Sequence, residues 1–413
     1  MGEVADYRGR AETPCHLQRR VGSPAAVPSP SDHAAGLAEI AAHAGLQRVH
    51  LLAWRDLDDP EAGGSEVHAA TVAELWARAG IDVTMRTSEA PGLPRTLERD
   101  GYRVVRRGGR YLVFPGAALA EVTGRAGPRD GLVEIWNGMP FLSPLWCRGP
   151  RAVWLHHVHA EMWQMTLPEP LATMGRLLER RFAPPFYRRT PIVTLAESSR
   201  RELVDELGFD DGRVHVVPPG IDPRFGPGGN RSQAPLVVAV GRLTPVKRFH
   251  LLVDALAAVK QEVPALEAVI VGEGYERPLL EARIAEAGAT GWLQLPGRLD
   301  DDQLLELYRR AWLLAASSAR EGWGMTITEA AACGTPAVAT RISGHADALV
   351  DGVSGVLVEP DRLAETMAGL LHDDAERTRL GKGALEHARQ LTWEATATGT
   401  LRVLADDAVR RRS

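Results

Sequence analysis

The chain has 413 residues, 45% of them apolar, and a formal net charge of −5; that is long enough for two or three domains and too acidic for a general binder of nucleic acid. No run approaches the roughly 20 apolar residues that span a bilayer. No charged start followed by an apolar core marks a secretory leader, so a cytoplasmic protein is expected.

Residues 1–35 are polar, rich in Pro, Ser and Arg and without a sustained period, and read as a mobile extension. From Arg48 onward short apolar runs alternate with helical patterns, the mark of parallel α/β architecture. Strands are predicted at 48–54, 82–86, 103–106, 111–114, 133–136, 152–156, 191–195 and 213–217, within a first doubly wound, Rossmann-like domain spanning 36–222. Residues 218–234 have the Pro/Gly-rich composition of a linker. Strands at 235–240, 268–272, 292–295, 312–316, 337–340 and 355–358 then build a second such domain over 235–390. A last helix, from Thr392 to Arg410 within segment 391–413, is expected to cross back to the first domain. Two such halves joined by a linker enclose one cleft, and ligands bind at the carboxyl ends of the strands.

Several segments carry candidate chemistry. Asp56-Leu57-Asp58 and Asp300-Asp301-Asp302 formally match an Asp-x-Asp metal site, but helix capping is the preferred reading of both. Gly63-Gly64-Ser65-Glu66 is a glycine turn opening a helix over 66–79, where a phosphate could be met. It lacks the Gly-x-Gly-x-x-Gly spacing of a dinucleotide fingerprint. His156-His157-Val158-His159 ends a predicted strand, and alternation directs His157 opposite to the other two. No matching cysteine or carboxylate pair favours a metal there, and one imidazole is expected to touch a substrate hydroxyl. Cys15, Cys147 and Cys333 are odd in number and far apart, suggesting neither a disulfide framework nor a metal knuckle. Arg176, Arg180, Arg181, Arg188 and Arg189 surround a helix predicted over 167–182 and read as a solvated face, with an anionic acceptor or lipid headgroup as the other reading.

In the second half, Gly241-Arg242 and Lys247 follow a strand end, a placement suited to a diphosphate. Lysine occurs elsewhere only at Lys260 and Lys382, which sharpens that reading. The most informative stretch is Glu321-Gly-Trp-Gly-Met-Thr-Ile-Thr-Glu329. It runs through a glycine-spaced turn into a short helix whose free N–H groups favour a phosphate, while Glu321 and Glu329 can each accept hydrogen bonds from a polyol.

Together with Val217-Pro218-Pro219-Gly220-Ile221-Asp222, Val271-Gly272-Glu273-Gly274 and Cys333-Gly334-Thr335-Pro336, these segments resemble the retaining family 4 glycosyltransferases, in order and spacing from about residue 48 to 360. The resemblance implies the two-Rossmann-domain GT-B fold. It implies that Arg242 and Lys247 hold a donor diphosphate, helped by backbone amides at Gly324, Met325 and Thr326. Glu329 would bind the ribose, Glu321 the transferred sugar, and His159 the donor sugar near the reaction centre, with His156 in reserve. Gly63, Gly64, Gly241 and Arg298 complete the donor set, and Ser65 is a further sugar or acceptor contact. Trp323 and Met325 stand where the family more often has Phe and Leu, which bears on donor preference.

By family frequency a UDP-sugar comes first as donor and GDP-mannose next, with a hydroxyl acceptor, no nucleic acid and no metal cofactor. Rival readings are a nucleotide-sugar 2-epimerase, a silent nucleotide-sugar binding protein and a membrane-associated glycolipid-forming enzyme.

Overall fold

The computed structural model describes residues 30–159, 163 and 168–413. Two separate sheets divide the chain. The first takes β1 (Arg48–Leu52), β2 (Asp82–Thr87), β3 (Thr96–Arg99), β4 (Tyr102–Arg106), β5 (Gly131–Ile135), β6 (Arg151–Trp154), β7 (Ile192–Thr194) and β8 (Val214–Val216) in the spatial order β3-β4-β2-β1-β5-β6-β7-β8. The second takes β9 (Leu236–Val240), β10 (Glu267–Val271), β11 (Leu293–Gly297), β12 (Leu313–Ala316), β13 (Ala337–Thr340) and β14 (Gly355–Val358) in the order β11-β10-β9-β12-β13-β14. All neighbours run parallel except β3 and β4. Parallel strands covered by helices on both faces are nearly continuous apolar runs, and β5, β6 and β13 are buried at every position.

In each sheet the winding reverses beside the first strand: β2 and β5 flank β1, and β10 and β12 flank β9. The crevice outside such a reversal is where doubly wound sheets bind ligands. The loops after β1, β9 and β12 carry the Gly63-Gly64, Arg242-to-Lys247 and Glu321-to-Glu329 segments.

The chain passes twice between the domains, at residues 217–235 and again near 391. The two passages meet where the Ile221 amide donates to the Leu391 carbonyl (3.1 Å). A Cβ on Gly220 would lie 2.1 Å from the Trp393 amide nitrogen, so only glycine fits at this crossing. The helix Trp393–Arg412, capped by the Thr392 hydroxyl, then lies on the first domain. Its Leu401, Leu404 and Ala408 enter the same core as Val49 and Leu51 of β1, and the Trp76 indole donates to the Ala397 carbonyl (3.0 Å).

Three expectations need correction. Residues 30–35 are not an extension but the first turns of the helix Pro30–Ala44, which packs against the C-terminal helix; residues 1–29 lie outside the described residues. The stretch 111–114 is not a strand: Val113 and Phe114 open the helix Val113–Val122 and are buried on its inner side. The helix expected over 167–182 is regular only over Glu169–Leu177 and continues as a π-helical turn over Leu178–Phe182, while residues 164–167 lie outside the described residues.

Candidate active site between the two domains

Seven residues after the end of β9, Lys247 points its ammonium at the Glu321 carboxylate, which lies beyond β12 across the reversal of the second sheet. Ser318 donates to the same carboxylate oxygen (2.7 Å). Burial pushes the Glu321 carboxyl up, but Lys247 and Ser318 more than offset this and hold it below the usual range. Gly241 leaves room for the lysine stem, since a Cβ there would stand 3.0 Å from Lys247 Cε. Arg242 is exposed beside it.

Across the cleft, the first-domain turn meets these groups directly. A Cβ on Gly64 would lie 2.7 Å from Met325 Sδ, at the start of the helix Met325–Ala332, and one on Gly63 would lie 3.9 Å from Arg242 Nε. At Gly64 a side chain would press on Met325, while Gly63 stands at ordinary van der Waals distance from Arg242. The turn is held from within by Glu66, whose Oε2 accepts from the Gly63 amide (2.8 Å) and from the Ser65 hydroxyl (2.9 Å). Ser65 also accepts from Asn137 (3.1 Å), so it is engaged within the turn.

Glu329 sits one turn into the same helix, accepting a hydrogen bond from the buried Tyr308 hydroxyl (2.9 Å). Burial raises its carboxyl from about 4.5 to about 7; the Tyr308 bond lowers it, and the negative charges of Asp222 and Asp301 raise it further. A carboxyl raised in the folded state keeps its proton where the unfolded chain has lost it. This contribution to stability is complete below about pH 4.5 and disappears as pH rises through about 7. Melting temperature should fall across that window in the wild type and stay flatter in Glu329→Gln; parallel profiles would contradict the assignment.

The histidines divide differently from the strand-alternation expectation. β6 ends at Trp154, so alternation has lapsed before the histidines begin. His156 turns Nε2 toward the first-domain core, 3.2 Å from His68 Nδ1. His157 is the one facing the donor loop: a Cβ on Gly322 would lie 3.0 Å from its Nδ1. His159 stacks on His157 at 4.8 Å, and its amide donates to Glu179 (2.8 Å). Burial first, then neighbouring Arg320 and Arg242, lowers His157 to about 4; burial, His157 and those arginines hold His159 well below its usual range. Both imidazoles are neutral at pH 7. Among the described residues, His156 Nδ1, His157 Nε2 and His159 Nδ1 are buried with no hydrogen-bond partner.

Arg298 is exposed just past the edge strand β11, outside this group of contacts. Asp300 caps the helix Asp301–Arg310 as expected. Asp56 does not cap: it neutralises buried Arg106 (2.6 Å). Among the described residues no three His, Cys, Asp or Glu side chains converge as a metal site, and no helix is long and apolar enough to cross a membrane. The sequence reading missed Ser318, Tyr308 and His157. Tyr308 meets Glu329 across 21 residues, where no local pattern marks it, whereas Ser318 lies three residues before Glu321 and its signal was local.

The glycosyl transferases group 1 model matches residues 223–387, and the glycosyltransferase family 4 model matches residues 62–225. The chain is also 30% identical, over 88% of its length and 85% of the other's, to a D-inositol 3-phosphate glycosyltransferase of Salinispora tropica. It belongs to the family 4 glycosyltransferases.

A Salinispora arenicola protein of the same name is 38% identical over 52% of this chain, a match spanning about half (54%) of that relative's length. Among solved structures, sucrose-phosphate synthase from Thermosynechococcus elongatus superposes with a TM-score of 0.74 at 22% identity, covering 85% of this chain and 96% of that one. Anabaena Alr3699/HepE in complex with UDP-glucose gives 0.68 at 19% identity, covering 86% and 98%. The family 4 glycosyltransferase described here thus has the GT-B fold, with its two domains facing one cleft.

Proposed function

We propose that this enzyme moves a sugar from a nucleotide diphosphate-sugar, a UDP-sugar first and GDP-mannose next, to a hydroxyl of a small-molecule or glycan acceptor. Transfer proceeds with retention at the anomeric carbon and without a metal. The observation that carries this reading is the meeting of Lys247 and Glu321 at the second sheet's reversal, directly opposite the Gly63-Gly64 turn. One group there suits a diphosphate and the other a sugar hydroxyl. The UDP-glucose complex of the Anabaena neighbour supports the donor class, and the name of the Salinispora relatives makes D-inositol 3-phosphate the first acceptor to try.

In the bound state Arg242, Lys247 and the amides at Gly324, Met325 and Thr326 would surround the diphosphate and stabilise the charge that grows as the sugar–phosphate bond breaks. Glu329 would accept from the ribose hydroxyls. Among the described residues no pair of carboxylates stands as nucleophile and acid in the glycosidase manner, and in this reading the leaving phosphate oxygen takes the acceptor's proton on the same face. The neutral imidazoles of His157 and His159 orient the sugar.

A thermal-shift panel of UDP-, GDP-, ADP- and dTDP-sugars, followed by transfer assays with D-inositol 3-phosphate, tests the donor and acceptor. NMR of the product should show the donor's anomeric configuration; the inverted anomer would exclude the mechanism. Chelation by EDTA should leave turnover unchanged, because Arg242 and Lys247 occupy the role a divalent ion would otherwise have. Loss of activity restored by added Mg²⁺ or Mn²⁺ would overturn that part.

A further inference from the structure

The segment 169–189 of the first domain carries two stripes. Its inner stripe, Ala172, Gly175, Glu179, Ala183 and Tyr187, is buried. Its outer stripe, Leu171, Met174, Leu177, Phe182 and Phe186, is between 46% and 61% exposed. The π-helical turn keeps these aligned: the Ala183 amide bonds to the Leu178 carbonyl (2.8 Å), five residues back. The step from Leu177 to Phe182 is therefore close to one π turn, and the apolar stripe is not rotated inward. Isolated exposed apolar residues are ordinary, but a continuous stripe on successive helical turns marks an interaction surface.

The charges beside the stripe indicate what covers it. Five arginines stand against two glutamates in this segment, and Glu179 is buried, accepting from the His159 amide and the Trp163 indole (3.0 Å). Arg176 and Arg180 are paired with Glu169 and Glu206. Arg181, Arg188 and Arg189 are exposed and have no ion pair among the described residues. Large apolar side chains flanked by unpaired arginines, on helices too short to span a bilayer, match a surface that lies in the lipid–water boundary. An anionic headgroup layer supplies the complementary charge.

We propose that this face docks the enzyme onto an anionic lipid bilayer, which goes beyond the donor and acceptor reading and does not depend on it. Glu179 on the inner stripe holds the His159 backbone, so the docked face lies one helix thickness from the cleft.

Vesicle flotation of the full chain tests this without any sugar donor. The enzyme should float with vesicles containing about 30% phosphatidylglycerol, not with pure phosphatidylcholine, and release as salt rises. Charge reversal in Arg181→Glu/Arg188→Glu/Arg189→Glu should lower the partition coefficient about a hundredfold or more, from three arginines near the surface. Met174→Glu/Phe182→Glu should abolish flotation with the melting temperature unchanged, both positions being exposed. Failure of the wild type to float with anionic vesicles, or undiminished binding by the arginine variant, would overturn the proposal. So would a wild-type dimer dissociated by Met174→Glu/Phe182→Glu, which would make the face a self-association surface.

Discussion

Lys247→Ala should lower turnover by about a hundred- to a thousandfold, the usual cost of removing one preorganised charge partner from a transition state. The ammonium is held by Glu321 at the sheet reversal, beside a strand end and facing the first-domain turn. It is thus in place before a donor arrives and needs no reorganisation when the diphosphate departs. The effect should fall on kcat, because the negative charge on the diphosphate increases as the bond breaks, and the donor KM should rise as well, because the bound diphosphate is already charged. The same substitution has a second consequence. Without Lys247 the partly buried Glu321 carboxyl keeps Ser318 but loses the main influence holding it low, so the variant also loses stability at neutral pH. Glu321→Gln in the Lys247→Ala background should restore the melting temperature and leave turnover low. Near-normal turnover in Lys247→Ala, measured with saturating donor, would sink the assignment. Recovery of activity by the double variant would show that the single change acted through stability alone.

What could be seen in the chain beforehand depended on how local the cause was. The helix Asp301–Arg310 was legible because its cap and its Gln303 partner lie three residues apart. The helix Met325–Ala332 was legible from its Gly334 stop. The hairpin of β3 and β4 was not read, although its signal was present: Asp100 and Gly101, both at positive φ, form the two-residue turn between Arg99 and Tyr102. The strand itself is polar and lies at the sheet edge, so it carries no apolar run. Val113-Phe114 looked like a strand because a short apolar run cannot be told by period from the buried start of a helix. His157 was set apart from His156 correctly but from His159 wrongly, because alternation was extended past the end of β6.

At the site, the glycine turn, the cationic strand end and the paired glutamates were each recognisable as pieces. Their partners were not, because they are fixed only by tertiary contact. Lys247 meets Glu321 across 74 residues, and Arg320 reaches the Val158 carbonyl across 162.

Asp56→Ala should be strongly destabilising, by up to about 3–5 kcal/mol, because it leaves buried Arg106 with only the more exposed Asp58 as counter-charge. Arg106 and Asp56 are 1% and 2% exposed as side chains, so neither can recover hydration if its partner is lost. The arginine Nε donates to Asp56 Oδ2 (2.6 Å), and its Nη2 donates to Asp56 Oδ1 (3.1 Å) and Asp58 Oδ2 (2.6 Å). Its Nη1 donates to the Pro94 carbonyl (3.0 Å). This network ties the loop after β1 to the end of β4, so its loss would also loosen the approach to the Gly63-Gly64 turn. Urea unfolding of Asp56→Ala measures the cost directly. In Asp56→Leu/Arg106→Met, which removes both charges and refills the space, most of that stability should return, since apolar replacements of buried ion pairs are often neutral or better. If Asp56 were instead a metal ligand, Asp56→Ala would keep the wild-type unfolding midpoint and lose activity that depends on added divalent ions. The pairing with Arg106 leads to the opposite pattern, lost stability with activity indifferent to metal.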